Sequence, residues 1–442
     1  MSAGITVSLI LTFLLFPALL MLGPKKMPTI CVINSSFTSI LGQLTERRGG
    51  MILALSALLL IGSAIGTSRL VVENSFIDYF RESTELYQGM KVIDEQLGGT
   101  TPLDVIIDFE REELFSAEVA DDDSDDIFAD LDAEFEAEKG DAQYWFTAQR
   151  MERAEAVHDY LDALPETGKV LSLGTMLKVG RRLNEGQDLD NFQLALIYNE
   201  LPEVYRRIIL SPYVSVEHSQ VRFAVRVRDS EKNLRRNELL QTIRHDLTEE
   251  LGFEQGRVRL AGLLLLYNNM LQSLFSSQIQ TLGAVVAALM LMFMFLFRSL
   301  KVALIAIFPN LLSVGTVLGV MGWAGIPLDM MTITIAAISV GIAVDDTIHY
   351  IHRFKREFAI SGNYLASMHR CHASIGYAMY YTSISIIIGF SILVLSNFIP
   401  SIYFGLLTGL AMVIALVAAL TLLPRLIILL QAFGPERDQG TR

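Results

Sequence analysis

LDMMTITIAAISVGIAVDDTIHYIHRFKRE, Leu328 to Glu357, is an apolar run of membrane-spanning length that carries two adjacent carboxylates, Asp345 and Asp346, then His349, His352 and a basic exit. A helix that enters near Met330 and leaves near Tyr350 has its midpoint close to Val340. At about 1.5 Å per residue Asp345 then lies roughly 7–8 Å past centre, inside a hydrocarbon core about 30 Å thick. An ionisable group at that depth costs at least about 2.5–3.5 kcal/mol, faces a protein interior or a wet path, and commonly serves ion or proton movement. The rest of the chain is therefore read for what it does around this pair.

The remaining apolar runs set the architecture. Beside Met330–Tyr350, stretches long enough to cross a bilayer occur at Ala3–Leu22, Met51–Leu70, Ile279–Phe297, Val302–Trp323, Tyr377–Leu395 and Ile402–Leu430, which predicts seven spans. Charge sets their direction. Lys25, Lys26, Arg47 and Arg48 follow the first, Arg298 and Lys301 separate the third and fourth, and Arg353, Lys355, Arg356 and Arg370 follow the fifth. The positive-inside bias puts these loops in the cytoplasm and a segment of about Val71 to Gln278 outside, with the tail that holds Arg437 inside.

Composition agrees with a membrane protein that also has a water-exposed part: 442 residues, 52% hydrophobic and 19% charged, with positive mean hydropathy. The formal charge of −13 gives no basic surplus for nucleic acid. Much of it comes from Glu110–Asp141, with fifteen acids against two bases. Like charges that repel and little to bury predict a solvated loop there. Calcium binding is the functional alternative, although the run lacks the glycine and terminal glutamate spacing of an EF-hand loop. The two cysteines, Cys31 and Cys371, fall on the predicted cytoplasmic side, so no disulfide framework is expected. Ala3–Leu22 has no charged leader and is expected to be a retained span rather than a signal peptide.

In the outer segment, Thr101–Phe109 and Gln220–Asp229 alternate with period two, and Lys169–Gly174 and Arg257–Ala261 are shorter strand-like runs. Helical patterns occur at Asp141–Leu164, Thr175–Leu183, Leu189–Leu201 and Glu231–Leu251. Such alternation predicts an α+β domain of the split βαβ, ferredoxin-like kind. The last strand passes through Gly262 into Leu263–Leu274, expected to continue as one helix into the third span.

On a helix Asp345 and His349 are four apart, Asp346 and His349 three apart, and His349 and His352 three apart, so these groups share one flank. Burial and like charge together disfavour two negative charges there, and the pair is expected to take up and release protons. The competing possibilities are a carboxylate pair at the cytoplasmic interface, paired with Arg353 or Arg356, and histidines that simply lie near the headgroups. Pro309 and Asn310 break the backbone ladder of the fourth span and leave Asn310 as a partner; Tyr380, Tyr381, Thr382, Ser383 and Ser385 open the sixth. Helix packing alone also explains such hydroxyls. Ser339 and Gly341 are small enough to admit another helix beside the pair. No phosphate loop, zinc cluster or nucleophile elbow is present at useful spacing, so neither an ATP-driven pump nor a hydrolase is indicated, and no metal or cofactor is expected.

One span, a large outer α+β domain and then five spans, with FPNLL at Phe308–Leu312 and GIAVDDTIHYIHRFKRE at Gly341–Glu357, resembles the C-terminal half of a resistance-nodulation-division (RND) superfamily exporter. The likeness is to the MMPL type, which shares its membrane core with sterol-sensing domains. The resemblance implies an α-helical polytopic protein of the inner, cytoplasmic membrane with a porter-like outer domain. It implies export of a lipid or other hydrophobic molecule driven by protons, with Asp345 and Asp346 as the relay, supported by His349, Asn310 and Thr382, and with Gly341 and Pro309 in the motif and its packing. By that likeness residues 1–23 form the last span of a missing first half, echoed in LLFPALLML and TLLPRLIIL with Pro17 and Pro424. Residues 24–50 form a cytoplasmic linker, 51–71 a span, 72–278 the porter-like domain with its acidic insertion 110–141, 279–432 a five-helix bundle and 433–442 a tail. The expected partners are membrane lipids, the hydrophobic substrate, protons, and a second RND half or another copy, with no nucleic acid. Two alternatives belong to other classes: a non-transporting sensor or scaffold of the sterol-sensing kind, and an auxiliary of proton-driven protein translocation.

Overall fold

Apolar runs of this length become helices because a bilayer offers no partner for backbone N–H and C=O groups. The computed structural model describes residues 2–22, 37–72, 75–109, 145–191, 193–194, 201–231, 234–329 and 331–436. The acidic insertion, Cys31, Met330, Arg437 and most of the stretch after Phe192 lie outside them. The chain starts with α1 (Ser2–Leu22), α2 (Phe37–Arg47) and α3 (Gly49–Thr67). After the extramembrane segment come α9 (Leu263–Phe297), α10 (Leu300–Ala324), α11 (Thr332–Ser361), a short α12 (Tyr364–Ala373), α13 (Ile375–Ser391), α14 (Ile399–Leu420) and α15 (Leu422–Leu429). Six of these stretches are long and apolar enough to cross a membrane: α3, α9, α10, α11, α13 with its 3-10 extension to Leu395, and α14 with α15. The apolar part of α1, Thr6–Leu22, is shorter.

Between α3 and α9 the chain forms α4 (Glu85–Gln96), β1 (Thr101–Asp108), α5 (Ala148–Ala163), β2 (Thr167–Leu171), α6 (Leu173–Leu183), α7 (Glu203–Ile209), β3 (Val214–Ser215), β4 (Gln220–Val227), α8 (Arg236–Glu249) and β5 (Val258–Ala261). The main strands lie in the order β2-β4-β1-β5, β3 adds to β4, and every pairing is antiparallel. A strand of one βαβ unit thus lies between the two strands of the other. Period-two alternation decides the faces. Leu103, Val105 and Ile107 of β1 and Val221, Phe223 and Val225 of β4 are buried with Val157, Leu161, Ile243 and Leu247 of α5 and α8. On the other face Asp104 pairs with Arg222 at 2.9 Å and Asp108 with Arg259 at 2.7 Å.

Three features tie this domain to the bundle. β5 turns through Gly262 (φ 100°) straight into the 35-residue α9; a Cβ there would lie 3.0 Å from the Pro102 carbonyl oxygen and 3.1 Å from the Asp104 nitrogen. Phe80 bridges to Phe398 in the turn before α14, and the Arg81 amide donates to the Asn397 carbonyl at 3.1 Å. The buried Asp229 pairs with Arg236 and accepts from Ser75 Oγ at 2.9 Å and the Phe76 amide at 2.7 Å. That last knot fixes the segment leaving α3 to the end of β4.

In the bundle α10 packs against α3, α9, α11 and α14. Small residues allow the closest crossing: Gly319 lies against Ser63, and Gly322 against the carbonyl oxygen of Gly66. At the end of the bundle away from the sheet, α2 and α12 meet through Glu46 and His369 (2.9 Å). α11 runs beyond Tyr350, where the sequence reading ended its span, to Ser361. Its last turns carry Arg353, which pairs with Glu357 at 2.7 Å.

Candidate functional site

Adjacent residues on an α-helix point about 100° apart, so Asp345 and Asp346 cannot face the same neighbour. Asp346 turns inward and is 7% exposed, whereas the Asp345 side chain is 75% exposed and sits 3.3 Å from His349 Nε2. Gly341, Asp345 and His349, spaced four apart, form an open stripe along α11. A Cβ on Gly341 would meet nothing within 4 Å. The glycine therefore makes no close helix contact among the described residues.

Asp346 meets the hydroxyl of a serine on a neighbouring helix. Ser383 Oγ on α13 donates to Asp346 Oδ2 at 3.4 Å. Next to Asp346, Thr347 accepts from Asn310 Nδ2 at 3.4 Å and donates to the Ala343 carbonyl at 3.2 Å. Asn310 also donates to the Ala306 carbonyl at 2.9 Å, in the turn that Pro309 disturbs. Its Oδ1 is buried and has no hydrogen-bond partner among the described residues. Asn310 is ten residues, about 15 Å, along α10, a helix about 37 Å long, so the cluster lies near mid-span. Asp346 is thus a carboxyl group buried at this depth whose hydrogen-bond partner on a neighbouring helix is the neutral hydroxyl of Ser383.

The sequence-selected residues separate accordingly. Asn310 reaches Thr347, at the depth of Asp346 but on the next helical position, and is not brought into contact with Asp346 itself; Asp345 and His349 pair on the open flank. Thr382 donates instead to its own helix, to the Met379 carbonyl at 2.9 Å, and its neighbour Ser383 makes the contact with Asp346. Arg353 is engaged by Glu357 rather than by the carboxylate pair. Thr347 and Thr408 are not distinguished by the sequence, and Ser339 stands out there only for its small size; the buried hydroxyls of Ser339 and Thr408 have no partner among the described residues. A signal for Ser339 as a polar position is the heptad spacing Thr332–Ser339–Asp346, which puts three polar side chains on one helical face; it does not reach Thr347 or Thr408. At the sheet-side end, Asp329 accepts from the Met331 and Thr332 amides at 2.9 and 2.6 Å and so caps α11. Asp329 also lines, with Tyr79, Asp229 and Tyr403, a cavity of about 690 Å³ between the bundle and the sheet domain.

Comparison with known proteins gives this arrangement a lineage. A protein of Methanocaldococcus jannaschii, MJ1562, whose name records only a presumed membrane location, is 30% identical over 133 residues, 30% of this chain and 34% of that protein. The alignment thus spans about a third of that relative's length. The model of the MMPL family matches residues 120–442, from the acidic insertion through the last helix and far more than half of the chain. With a match over most of its length, and with six helices long and apolar enough to cross a membrane, the chain belongs to the MMPL family.

Proposed function

We propose that the protein is a proton-driven secondary transporter of the cytoplasmic membrane that exports lipids or other hydrophobic or amphipathic molecules, with Asp346 as the buried proton-loading group. The observation that carries this is Asp346 itself, 7% exposed near mid-span and hydrogen-bonded by Ser383, with the Asn310–Thr347 pair at the same depth. Asp345 and His349, 3.3 Å apart on the adjoining flank, pass protons between Asp346 and the side away from the sheet. Basic residues Arg47, Arg48, Arg298 and Lys301 cluster at helix ends opposite the sheet, which favours a sheet domain on the extracytoplasmic side. There it acts as a ferredoxin-like porter domain and forms the substrate path. The continuous β5–α9 connection carries movement from the bundle to it.

A carboxylate three-quarters exposed at membrane depth is costly against lipid. The stripe of Gly341, Asp345 and His349 is therefore covered by a second bundle of the same kind, either another RND half or another copy of this chain. The test is transfer of a fluorescent lipid-like probe out of vesicles that contain the protein under an imposed pH gradient. Transfer should require the gradient, stop with a protonophore and stop with Asp346→Asn; transfer that continues without a gradient refutes proton drive.

A further inference from the structure

Three side-chain atoms in the middle of the bundle are deeply buried and have no hydrogen-bond partner among the described residues: Ser339 Oγ on α11, Thr408 Oγ1 on α14 and Asn310 Oδ1 on α10. The residues are 1%, 0% and 2% exposed. Buried polar groups in native proteins are almost always satisfied, by protein or by ordered water. These three also follow an order. Ser339 is seven residues before Asp346 on the same face of α11, about 10.5 Å nearer the sheet. Thr408, nine residues into α14, is about 13.5 Å from that helix's sheet-side end, within one turn of the depth of Ser339. α11 and α14 pack side by side. Asn310 stands at the level of Asp346 through its contact with Thr347.

We infer that Ser339, Thr408 and Asn310 hold a file of internal water between α11, α10 and α14, and that this file is the route by which protons reach Asp346 from the sheet side. The assignment rests on the proton-loading role proposed for Asp346. A separation of about 10.5 Å is bridged by about three waters at hydrogen-bond spacing of about 2.8 Å. The next heptad position toward the sheet is Thr332, whose hydroxyl accepts from the Asp329 amide at 2.8 Å, and Asp329 borders the cavity beneath the sheet domain. Between that cavity and Ser339 stands an apolar layer, Val317, Met321, Ile333, Ile335 and Leu407, all buried. It closes the file to the sheet side in this conformation, and Leu407 directly precedes Thr408. The titratable groups beside Asp346 are Asp345 and His349 on its own helix; the partner that α13 supplies, Ser383, is neutral, as is Asn310, which α10 places at the same depth against Thr347.

The experiment is an acid jump applied to either face of vesicles in which the full protein is oriented with its sheet domain outward, with protonation of Asp346 followed by its infrared carboxyl band. Ser339→Ala/Thr408→Val should slow loading from the sheet side at least tenfold and leave loading from the opposite side unchanged. Thr408→Ser should load at the native rate. Unchanged sheet-side loading in the double variant, or equal slowing from both sides, overturns the inference. Normal probe export by Asp346→Asn would instead remove the transport role of Asp346, and the loading rates would still decide whether the file exists.

Discussion

The crossing of α3 and α10 allows the packing of the bundle to be tested at one atom. A methyl group on Gly322 falls on the carbonyl oxygen of Gly66, and one on Gly319 lies 2.5 Å from Ser63 Cα and 3.1 Å from its Cβ. Ordinary contact needs about 3.4–4 Å, so Gly322→Ala must push the helices apart by about 1 Å or more. Overpacking of this kind costs about 1–3 kcal/mol. The shift also strains the hydrogen bond from Trp323 Nε1 to the Gly62 carbonyl, 3.0 Å long, worth about 1 kcal/mol. Better helix propensity returns up to about 1 kcal/mol. The net loss of about 1–3 kcal/mol lowers the melting temperature by on the order of 5 °C. Gly283→Ala on α9 is the matched control: nothing lies within 4 Å of its Cβ, and it should be neutral or gain up to about 1 kcal/mol. Trp323 is one of two tryptophans; in a Trp145→Phe background its emission reports the crossing directly. Gly322→Ala should shift that emission to the red and lower the melting temperature in detergent. A native melting temperature with unchanged emission would refute the close α3–α10 packing.

Other expectations follow from the same structure. Asp94 is buried; desolvation pushes its carboxyl upward, but hydrogen bonds from Ser230 and Thr100 and the Ser230 and Asp229 amides outweigh it and hold the group below the usual carboxylate range. A depressed folded-state value stabilises the fold above the ordinary aspartate pKa of about 3.9, and this contribution is lost as pH falls through the folded value. Asp94→Asn should therefore cost about 2–3 kcal/mol at neutral pH and flatten the acid limb of a pH–stability curve. Ser383→Ala should slow proton flux severalfold, because its hydroxyl touches Asp346, while Thr382→Ala should be silent in the same assay. Burial pushes the Cys371 thiol up to about 12, so in a Cys31→Ser background the native protein should resist maleimide and label fully once unfolded.

Six of the seven expected spans were legible because apolar runs of about twenty residues have few alternatives, and the strands because β1 and β4 alternate with period two. The tight joint at Gly262 could be read as well, since one helix-length run follows the strand without a break. The length of α11 could not. Arg353, Lys355 and Arg356 suggested an exit, but charged residues also extend a helix beyond the membrane, and α11 continues to Ser361. The carboxylate pair shows the limit most clearly. Helical geometry says that two neighbours must diverge by about 100°, but only the packing of α10, α13 and α14 makes Asp346 the buried one. The same holds for Ser383 over Thr382, for the approach of Asn310 to Thr347, and for Gly322 against Gly66. These contacts join residues far apart in sequence, and local pattern carries no information about them. The knot of Asp94, Asp229 and Arg236 was missed for the same reason: three charges in polar segments look solvated until the fold buries them.

Proton flux into sealed vesicles, with Asp345→Asn and Asp346→Asn measured separately, tests most directly the claim that the buried carboxylate carries the proton. Asp346→Asn should abolish flux in a protein that remains folded, and Asp345→Asn, altering the exposed partner of His349, should reduce it less. Native flux in Asp346→Asn would contradict the account.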